Sequence, residues 1–363
     1  MIETYWPDAA TRAEFARRAE EAARSNPAFW NALPTLPARP VDGHKGTFGT
    51  ALAVGGSRGM SGAISLTGSA ALVAGAGLTR LFVPEPILET VAGFAREYTT
   101  IPGACDASGR LTSAAFDAIL AESANATALA VGPGFGRSAE ATRLVVELFF
   151  ELERPAVFDA DALNALAEAG VFDESAEKSE KNNAISERFA GRKPRGARVL
   201  TPHPGEFARL TGAKPSGDRA ARIDATTAFA KRLERLFGGD SAFVVVLKGA
   251  GTVVADGRGA VYVNETGNPN LATGGSGDVL TGVVVGLLAQ GATPLDAARS
   301  AVALHGLAAD LRATRSSRGA VASDVVRFLP LAFDFYEAAQ TAARLGVDVE
   351  KRLESGTTRR LSR

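Results

Sequence analysis

Residues 273–278 read Thr273-Gly274-Gly275-Ser276-Gly277-Asp278, and an uncharged stretch opens directly after them at Val279. Three glycines ahead of a carboxylate, at the start of a helix, gather free backbone N–H groups and the positive helix end beside one negative side chain. An aspartate acting only as a helix cap would need no glycine run before it. An anion hole next to a base is what phosphoryl transfer requires: donors for the charge developing on the transferred group, and an acceptor for the proton of the attacking hydroxyl. The helix end is expected to keep Asp278 ionised at neutral pH.

Upstream of this turn the chain alternates short β-branched runs with longer Ala/Leu patterns, the signature of parallel strands joined by crossover helices. Strands are expected at 51–54, 78–83, 128–131, 156–158, 198–200, 243–247, 252–255 and 260–263. Helices are expected at 63–74, 87–94, 113–122, 140–152, 162–168, 205–210 and 219–236, and again at 279–290, 294–312 and 322–343. The fold class is α/β: a three-layer α/β/α domain with a central, mostly parallel sheet.

Residues 1–40 read as a charged helical extension followed by a proline-spaced linker, with the compact domain over 41–345. Within it, 173–195 is dense in Glu, Lys, Ser and Asn and reads as a surface insertion. Residues 346–363 form a basic, polar tail.

Composition excludes several classes. The chain has 363 residues with 40 Lys+Arg against 40 Asp+Glu, 46% hydrophobic residues, three histidines and a single cysteine. A chain of this length can bury roughly three quarters of its unfolded surface without staples. Cys105 alone supplies neither an internal disulfide nor a cysteine metal cluster, which points to a reducing compartment. Zero net charge provides no general field for a polyphosphate backbone, so nucleic acid is not expected as a partner. The beginning of the chain has no apolar secretory core, and the longest uncharged run, 59–79, is rich in Gly, Ser, Thr and Ala rather than Leu and Ile. Neither a membrane span nor a secretory signal is expected, and the location expected is the cytoplasm.

Two further glycine clusters follow expected strands. Gly55-Gly56-Ser57-Arg58-Gly59-Met60-Ser61-Gly62-Ala63 opens a helix where parallel sheets present backbone donors to ligands, but it matches neither the dinucleotide nor the P-loop pattern. A tight strand-to-helix turn accounts for it equally. Gly132-Pro133-Gly134-Phe135-Gly136 again allows close approach to a ligand or serves as a turn. Lys248-Gly249-Ala250-Gly251-Thr252 lies between two β-rich runs; it is a hairpin turn, or a hairpin whose lysine reaches a nucleotide phosphate. The histidines are dispersed without metal-ligand spacing. His305 reads as structural, whereas His203, in Thr201-Pro202-His203-Pro204-Gly205-Glu206, follows a strand at the end where open α/β sheets bind ligands. Asp159 and Asp161 close a strand and start a helix; Asp161 reads as an N-cap and Glu206 as a first-turn residue that favours the dipole, or carboxylates at these neighbouring strand ends hold Mg²⁺ through water.

Taken in order, His44-Lys45-Gly46, the cluster ending at Ala63, Gly132-Pro133-Gly134, Asp159-Ala160-Asp161-Ala162-Leu163-Asn164, the Thr201 to Glu206 frame, the Lys248 hairpin and the stretch from Gly267 to Asp278 resemble the ADP/ATP-dependent NAD(P)H-hydrate dehydratase family, of ribokinase-like fold, over roughly 41–310. The resemblance implies a metabolite-repair lyase that uses ADP or ATP to dehydrate the S-epimer of hydrated NADH or NADPH. It implies hydrate contacts at Ala63, Gly132, Gly134, His203 and Asp278. Nucleotide contacts are implied at Lys248, Gly249, Ala250, Gly251, Thr252, Gly274, Gly275 and Gly277, and Mg²⁺ at Glu206. It also implies a homo-oligomer, by family habit a tetramer, and an NAD(P)H-hydrate epimerase as a separate functional partner. Asn270-Leu271 stands where the family usually has Gly-Met, and Thr47 replaces an acidic residue. The competing class is a ribokinase-like small-molecule kinase whose product keeps its phosphate.

Overall fold

The computed structural model describes residues 8–173, 191–238, 242–313 and 318–345; most of the expected insertion and all of the tail lie outside them. Nine strands form one sheet: β1 (Thr50–Val54), β2 (Leu78–Pro84), β3 (Thr99–Gly103), β4 (Ala128–Val131), β5 (Ala156–Phe158), β6 (Arg198–Leu200), β7 (Phe243–Leu247), β8 (Val253–Asp256) and β9 (Val261–Val263). Their order is β3-β2-β1-β4-β5-β6-β7-β8-β9. The first seven are parallel to one another, while β8 joins β7 and β9 joins β8 antiparallel. The chain therefore winds outward from β1, then restarts on its other side with β4. The carboxyl ends of β1 and β4 flank this switch point, and each runs into one of the glycine clusters.

Strand residues alternate between two cores. Ala51, Ala53, Ala128, Ala130, Val244 and Val246 face one; Leu52, Val54, Leu129, Val131, Phe243 and Val245 face the other. The small side chains lie under α3 (Ser61–Val73) and under the helix that starts at Ser276 and runs to Ala289. That helix approaches α3 at glycines, since a Cβ on Gly282 would stand 2.3 Å from the Thr67 carbonyl oxygen. Helix α4 (Leu88–Phe94) packs beside α3 at the edge of the first core, where Val91 is buried, and the opposite layer holds α5 (Phe116–Ser123), α6 (Ala139–Glu151), α7 (Asp161–Glu168), α8 (Pro204–Thr211) and α9 (Arg219–Phe237). In chain order the remaining helices are α10 (Ser276–Ala289), α11 (Pro294–Arg312) and α12 (Ala322–Leu345).

Two elements differ from the sequence reading. Strand β3 carries Pro102, which pairing tolerates because β3 lies at the edge of the sheet. The stretch read as a helical extension and linker is bound to the domain. Helices α1 (Ala9–Ser25) and α2 (Pro27–Ala32) bring Ala19, Ala23, Phe29, Trp30 and Leu33 into the first core. Trp30 packs against Phe335 and Tyr336, the Tyr336 hydroxyl donates to the Pro34 carbonyl at 2.7 Å, and Gln340 Nε2 donates to the Leu33 carbonyl at 2.7 Å. No described helix is long and apolar enough to cross a membrane.

Candidate active site

The site forms where the ends of β4, β5, β6 and β7 meet the amino end of α10. Helix α10 begins at Ser276, two residues before Asp278, so Asp278 lies in the first turn rather than at the cap. The cap is Gly275, with φ +88, and it brings no side chain to bond the first-turn N–H groups. A glycine is required there because that backbone conformation is costly for other residues. The turn is supported from below by His305, whose Nε2 lies 3.0 Å from the Ser276 carbonyl oxygen and 3.2 Å from its hydroxyl. Burial pushes the His305 pKa down to about 4, so the ring stays neutral in its structural role.

Asp278 departs from the expectation of a fully ionised carboxylate. Burial, with the neighbouring negative charge of Asp159, pushes its pKa up to about 7 despite the opposing pull of Lys248. The helix end is outweighed by desolvation together with the nearby charges of Asp159 and Asp161. A base with a pKa near neutrality is better matched to proton transfer than one near 4.

Lys248, at the end of β7, reaches inward: Nζ lies 2.6 Å from Asp159 Oδ1 and 3.8 Å from Glu206 Oε2. A Cβ on Gly277 would stand 3.3 Å from that Nζ, so the missing side chain leaves room for the ammonium beside the helix end. Burial works against its charge, but Asp159 and Glu206 outweigh it and raise the Lys248 pKa. Gly249, Ala250 and Gly251 form the exposed tip of the hairpin, closed by Thr252 Oγ1 donating to the Gly249 carbonyl at 2.9 Å. The base of the hairpin is held by Arg222 of α9, whose Nη2 donates to the Leu247 carbonyl at 3.1 Å.

His203 caps α8. Its Nδ1 accepts from the backbone N–H of Gly205 at 2.9 Å and of Glu206 at 3.3 Å, and Glu206 Oε2 accepts from the His203 N–H at 2.7 Å. This is a reciprocal capping arrangement. Burial and the cations Lys248 and Arg209 lower the His203 pKa, leaving a neutral ring that carries its proton on Nε2, 3.4 Å from Glu206 Oε1. Burial pushes the Glu206 pKa up to about 7.

The switch-point turns meet as the glycines require. Gly56 N–H donates to the Pro133 carbonyl at 2.8 Å, and Ser57 Oγ donates to the Gly134 carbonyl at 2.9 Å. A Cβ on Gly134, where φ is +63, would lie 2.6 Å from the Met60 carbonyl oxygen and 3.0 Å from Ala63 Cβ. Gly134 and Ala63 thus lie in contact between the turns after β4 and β1, while Gly132 packs on the Asp159 backbone. The His44-Lys45-Gly46 motif packs elsewhere: a Cβ on Gly77 would stand 1.8 Å from the Lys45 carbonyl oxygen, at the amino-terminal edge of the sheet where β1 and β2 begin. Its part is to shape that edge.

Sequence reasoning left Asp159 open and missed Arg222 and Thr281. Thr281 lies inside the apolar run of α10, and its hydroxyl donates to Asp159 Oδ2 at 2.7 Å. Among the described residues, no group of three or more His, Cys, Asp or Glu side chains is arranged to hold a metal. Glu206 has one oxygen committed to the His203 N–H, so a hard cation here would need oxygen donors from a bound nucleotide and water.

A family model described as NAD(P)H-hydrate dehydratase matches residues 51–331. The chain belongs to the NAD(P)H-hydrate dehydratase family. It is 41% identical over 317 residues to the bifunctional NAD(P)H-hydrate repair enzyme Nnr of Moorella thermoacetica, covering 86% of this chain and 55% of that protein. It is 39% identical over 285 residues to the ADP-dependent (S)-NAD(P)H-hydrate dehydratase of Neisseria meningitidis, covering 76% and 80%. The ADP/ATP-dependent NAD(P)H-hydrate dehydratase of Bacillus subtilis, crystallised with ATP and Mg²⁺, superposes with a TM-score of 0.64 at 29% identity over 87% of this chain and 97% of that one. This dehydratase-family chain spans about half the length of the bifunctional relatives it matches, and its fold is ribokinase-like.

Proposed function

We propose that the protein uses an adenine nucleotide, ADP by preference, to dehydrate the S-epimer of hydrated NADH or NADPH and restore the reduced cofactor. The observation that carries this reading is the first turn of α10, where uncapped backbone donors, Asp278 and the Lys248 ammonium converge. Asp278 accepts the proton of the ring hydroxyl as its oxygen attacks the terminal phosphoryl group. The Gly274, Gly275 and Gly277 region stabilises the charge on that group, while Lys248 and the hairpin from Gly249 to Thr252 hold the nucleotide. AMP leaves when ADP is the donor, and ADP leaves when ATP is.

The second half is an elimination. The ring nitrogen lone pair expels the phosphate, breaking the C–O bond, and a neighbouring C–H proton is lost to restore the double bond. Ala63, Gly132 and Gly134 form the wall against which the hydrate lies, and neutral His203 donates from Nε2. Mg²⁺ supplied with the nucleotide would neutralise phosphate charge, held by phosphate oxygens and water with Glu206 as an outer partner. The same reading makes the protein a cytoplasmic homotetramer that works with an NAD(P)H-hydrate epimerase, without nucleic-acid or membrane partners.

The test is to supply hydrated NADH with Mg²⁺ and either ADP or ATP, following the return of reduced nicotinamide by absorbance and the release of phosphate. Recovery with one phosphate per NADH supports the dehydratase. A stable phosphorylated hydrate, with no NADH, would turn the assignment to a kinase.

A further inference from the structure

Asp159 is the charged group at the site for which the proposed chemistry has no task. It is 1% exposed, and both oxygens are committed: Oδ1 accepts from Lys248 Nζ at 2.6 Å and Oδ2 from Thr281 Oγ1 at 2.7 Å. The three residues come from three elements: the end of β5, the end of β7 and α10. Thr281 follows Asp278 by three positions, so the hydroxyl that Asp159 grips lies on the helix face that carries Asp278.

The backbone around Asp159 is as constrained as its side chain. Ala160, with φ +52, is the one non-glycine residue with positive φ among the described residues. Gly132, with φ +124, passes so close that a Cβ there would stand 1.9 Å from the Asp159 carbonyl oxygen. Strain of this kind persists only where the surroundings over-determine the conformation. Glu206 cannot take over the task, because its nearer oxygen stands 3.8 Å from Lys248 Nζ and already accepts from the His203 N–H.

We infer that Asp159 is a positioning residue that sets where the Lys248 ammonium stands relative to the first turn of α10. A lysine is a compact point charge on a flexible stem, so its usefulness to a phosphate depends on what fixes it. Asp159 fixes the ammonium beside Gly277 and, through Thr281, fixes the helix end on the same carboxylate. The nucleotide-binding cation and the amides that receive the phosphoryl group thereby keep a set separation. The inference rests on the functional reading in one respect, that Lys248 meets the nucleotide.

The experiment is a double-mutant cycle on the full chain: wild type, Lys248→Ala, Asp159→Asn and the double variant, each titrated with ADP in Mg²⁺ by calorimetry and assayed on hydrated NADH. Lys248→Ala is expected to weaken ADP binding about tenfold and Asp159→Asn about fivefold, with the double variant no weaker than Lys248→Ala, because residues acting through one contact are not additive. In Asp159→Asn, kcat per ADP-binding site, the sites being counted by the calorimetric stoichiometry, is expected to fall more than KM for the hydrate changes, a loss that an unfolded fraction would not produce. Additive effects would overturn the inference and leave the functional reading standing. Unchanged ADP affinity in Lys248→Ala would overturn the nucleotide reading of Lys248, and the inference with it. Coupled ADP binding without turnover by the wild type would overturn the dehydratase activity alone. Should Asp159→Asn fail to fold, Thr281→Val, which keeps both charges, replaces it: about threefold weaker ADP binding and no further loss on Lys248→Ala supports the inference, and additivity overturns it.

Discussion

The backbone of Gly132 passes so close to Asp159 that a methyl group on the glycine would stand 1.9 Å from the aspartate's carbonyl oxygen. The turn after β4 and the turn after β5 are therefore one fitted unit. Gly132→Ala must move the Asp159 backbone and also place alanine at φ +124, a conformation L side chains avoid. We expect a stability loss of about 2–4 kcal/mol and a fall in kcat of at least tenfold, measured by urea unfolding and the absorbance assay. Wild-type activity in this variant would show that the two turns are not coupled.

The pH dependence follows from Asp278. Its pKa of about 7 means that the base is protonated below neutrality, so kcat/KM should fall with an acid limb near pH 7 and a slope approaching tenfold per unit. The stability consequence has the opposite sense to that of a salt-bridged carboxylate. A folded pKa raised above the unfolded one favours the protonated folded state, so stability declines as pH rises from about 4 to 7 and is flat above. Asp278→Asn is therefore expected to raise Tm at pH 8 by a few degrees, about 2 kcal/mol after allowance for partial exposure, with no gain at pH 4. Calorimetric scans at both pH values check the sign.

His203 has two separable duties. It caps α8 through Nδ1, and it presents Nε2–H at the site. His203→Ala loses both, with a stability cost of about 1 kcal/mol; His203→Asn keeps a good cap and loses only the donor. Both variants should raise KM for the hydrate about tenfold, while only the alanine variant melts earlier. An asparagine variant with unchanged KM would confine His203 to capping.

Arg198 provides a contrast at the amino-terminal end of β6. It is fully buried, and its guanidinium donates to the carbonyls of Phe149, Leu152 and Arg154, closing the carboxyl end of α6. Burial lowers its pKa to about 9. Arg198→Met leaves those carbonyls unpaired and should cost about 3 kcal/mol in urea unfolding, with kcat unchanged because the residue starts β6 while the site lies at the strand's other end. A fall in kcat without loss of stability would contradict this.

The sequence made most of this architecture readable, because hydrophobic period and glycine placement act locally. The strands from β4 to β7 lie at the expected residues, and the glycine turns mark the strand ends that face ligands. What escaped the sequence depended on distant partners. Thr281 sits in an apolar helix and gains meaning only from Asp159, 122 positions away. The proline spacing of 34–40 suggested a linker, but the carbonyls of Leu33 and Pro34 are held by Gln340 and Tyr336, more than 300 positions along the chain. The ionisation of Asp278 was misjudged for a related reason: the helix end is visible in sequence, whereas burial among Asp159 and Asp161 is a property of the folded chain.

The central claim is that Asp278 removes the proton of the hydrated ring's hydroxyl while the amino end of α10 holds the phosphoryl group. The most direct test compares wild type with Asp278→Asn in a single turnover of hydrated NADH with ADP and Mg²⁺, recording NADH recovery, phosphate release and ADP binding together. The account predicts NADH and phosphate appearing in equal amounts with the wild type, and a loss of at least a thousandfold in Asp278→Asn with ADP affinity kept within about threefold. Recovery of NADH at a comparable rate by Asp278→Asn would contradict it.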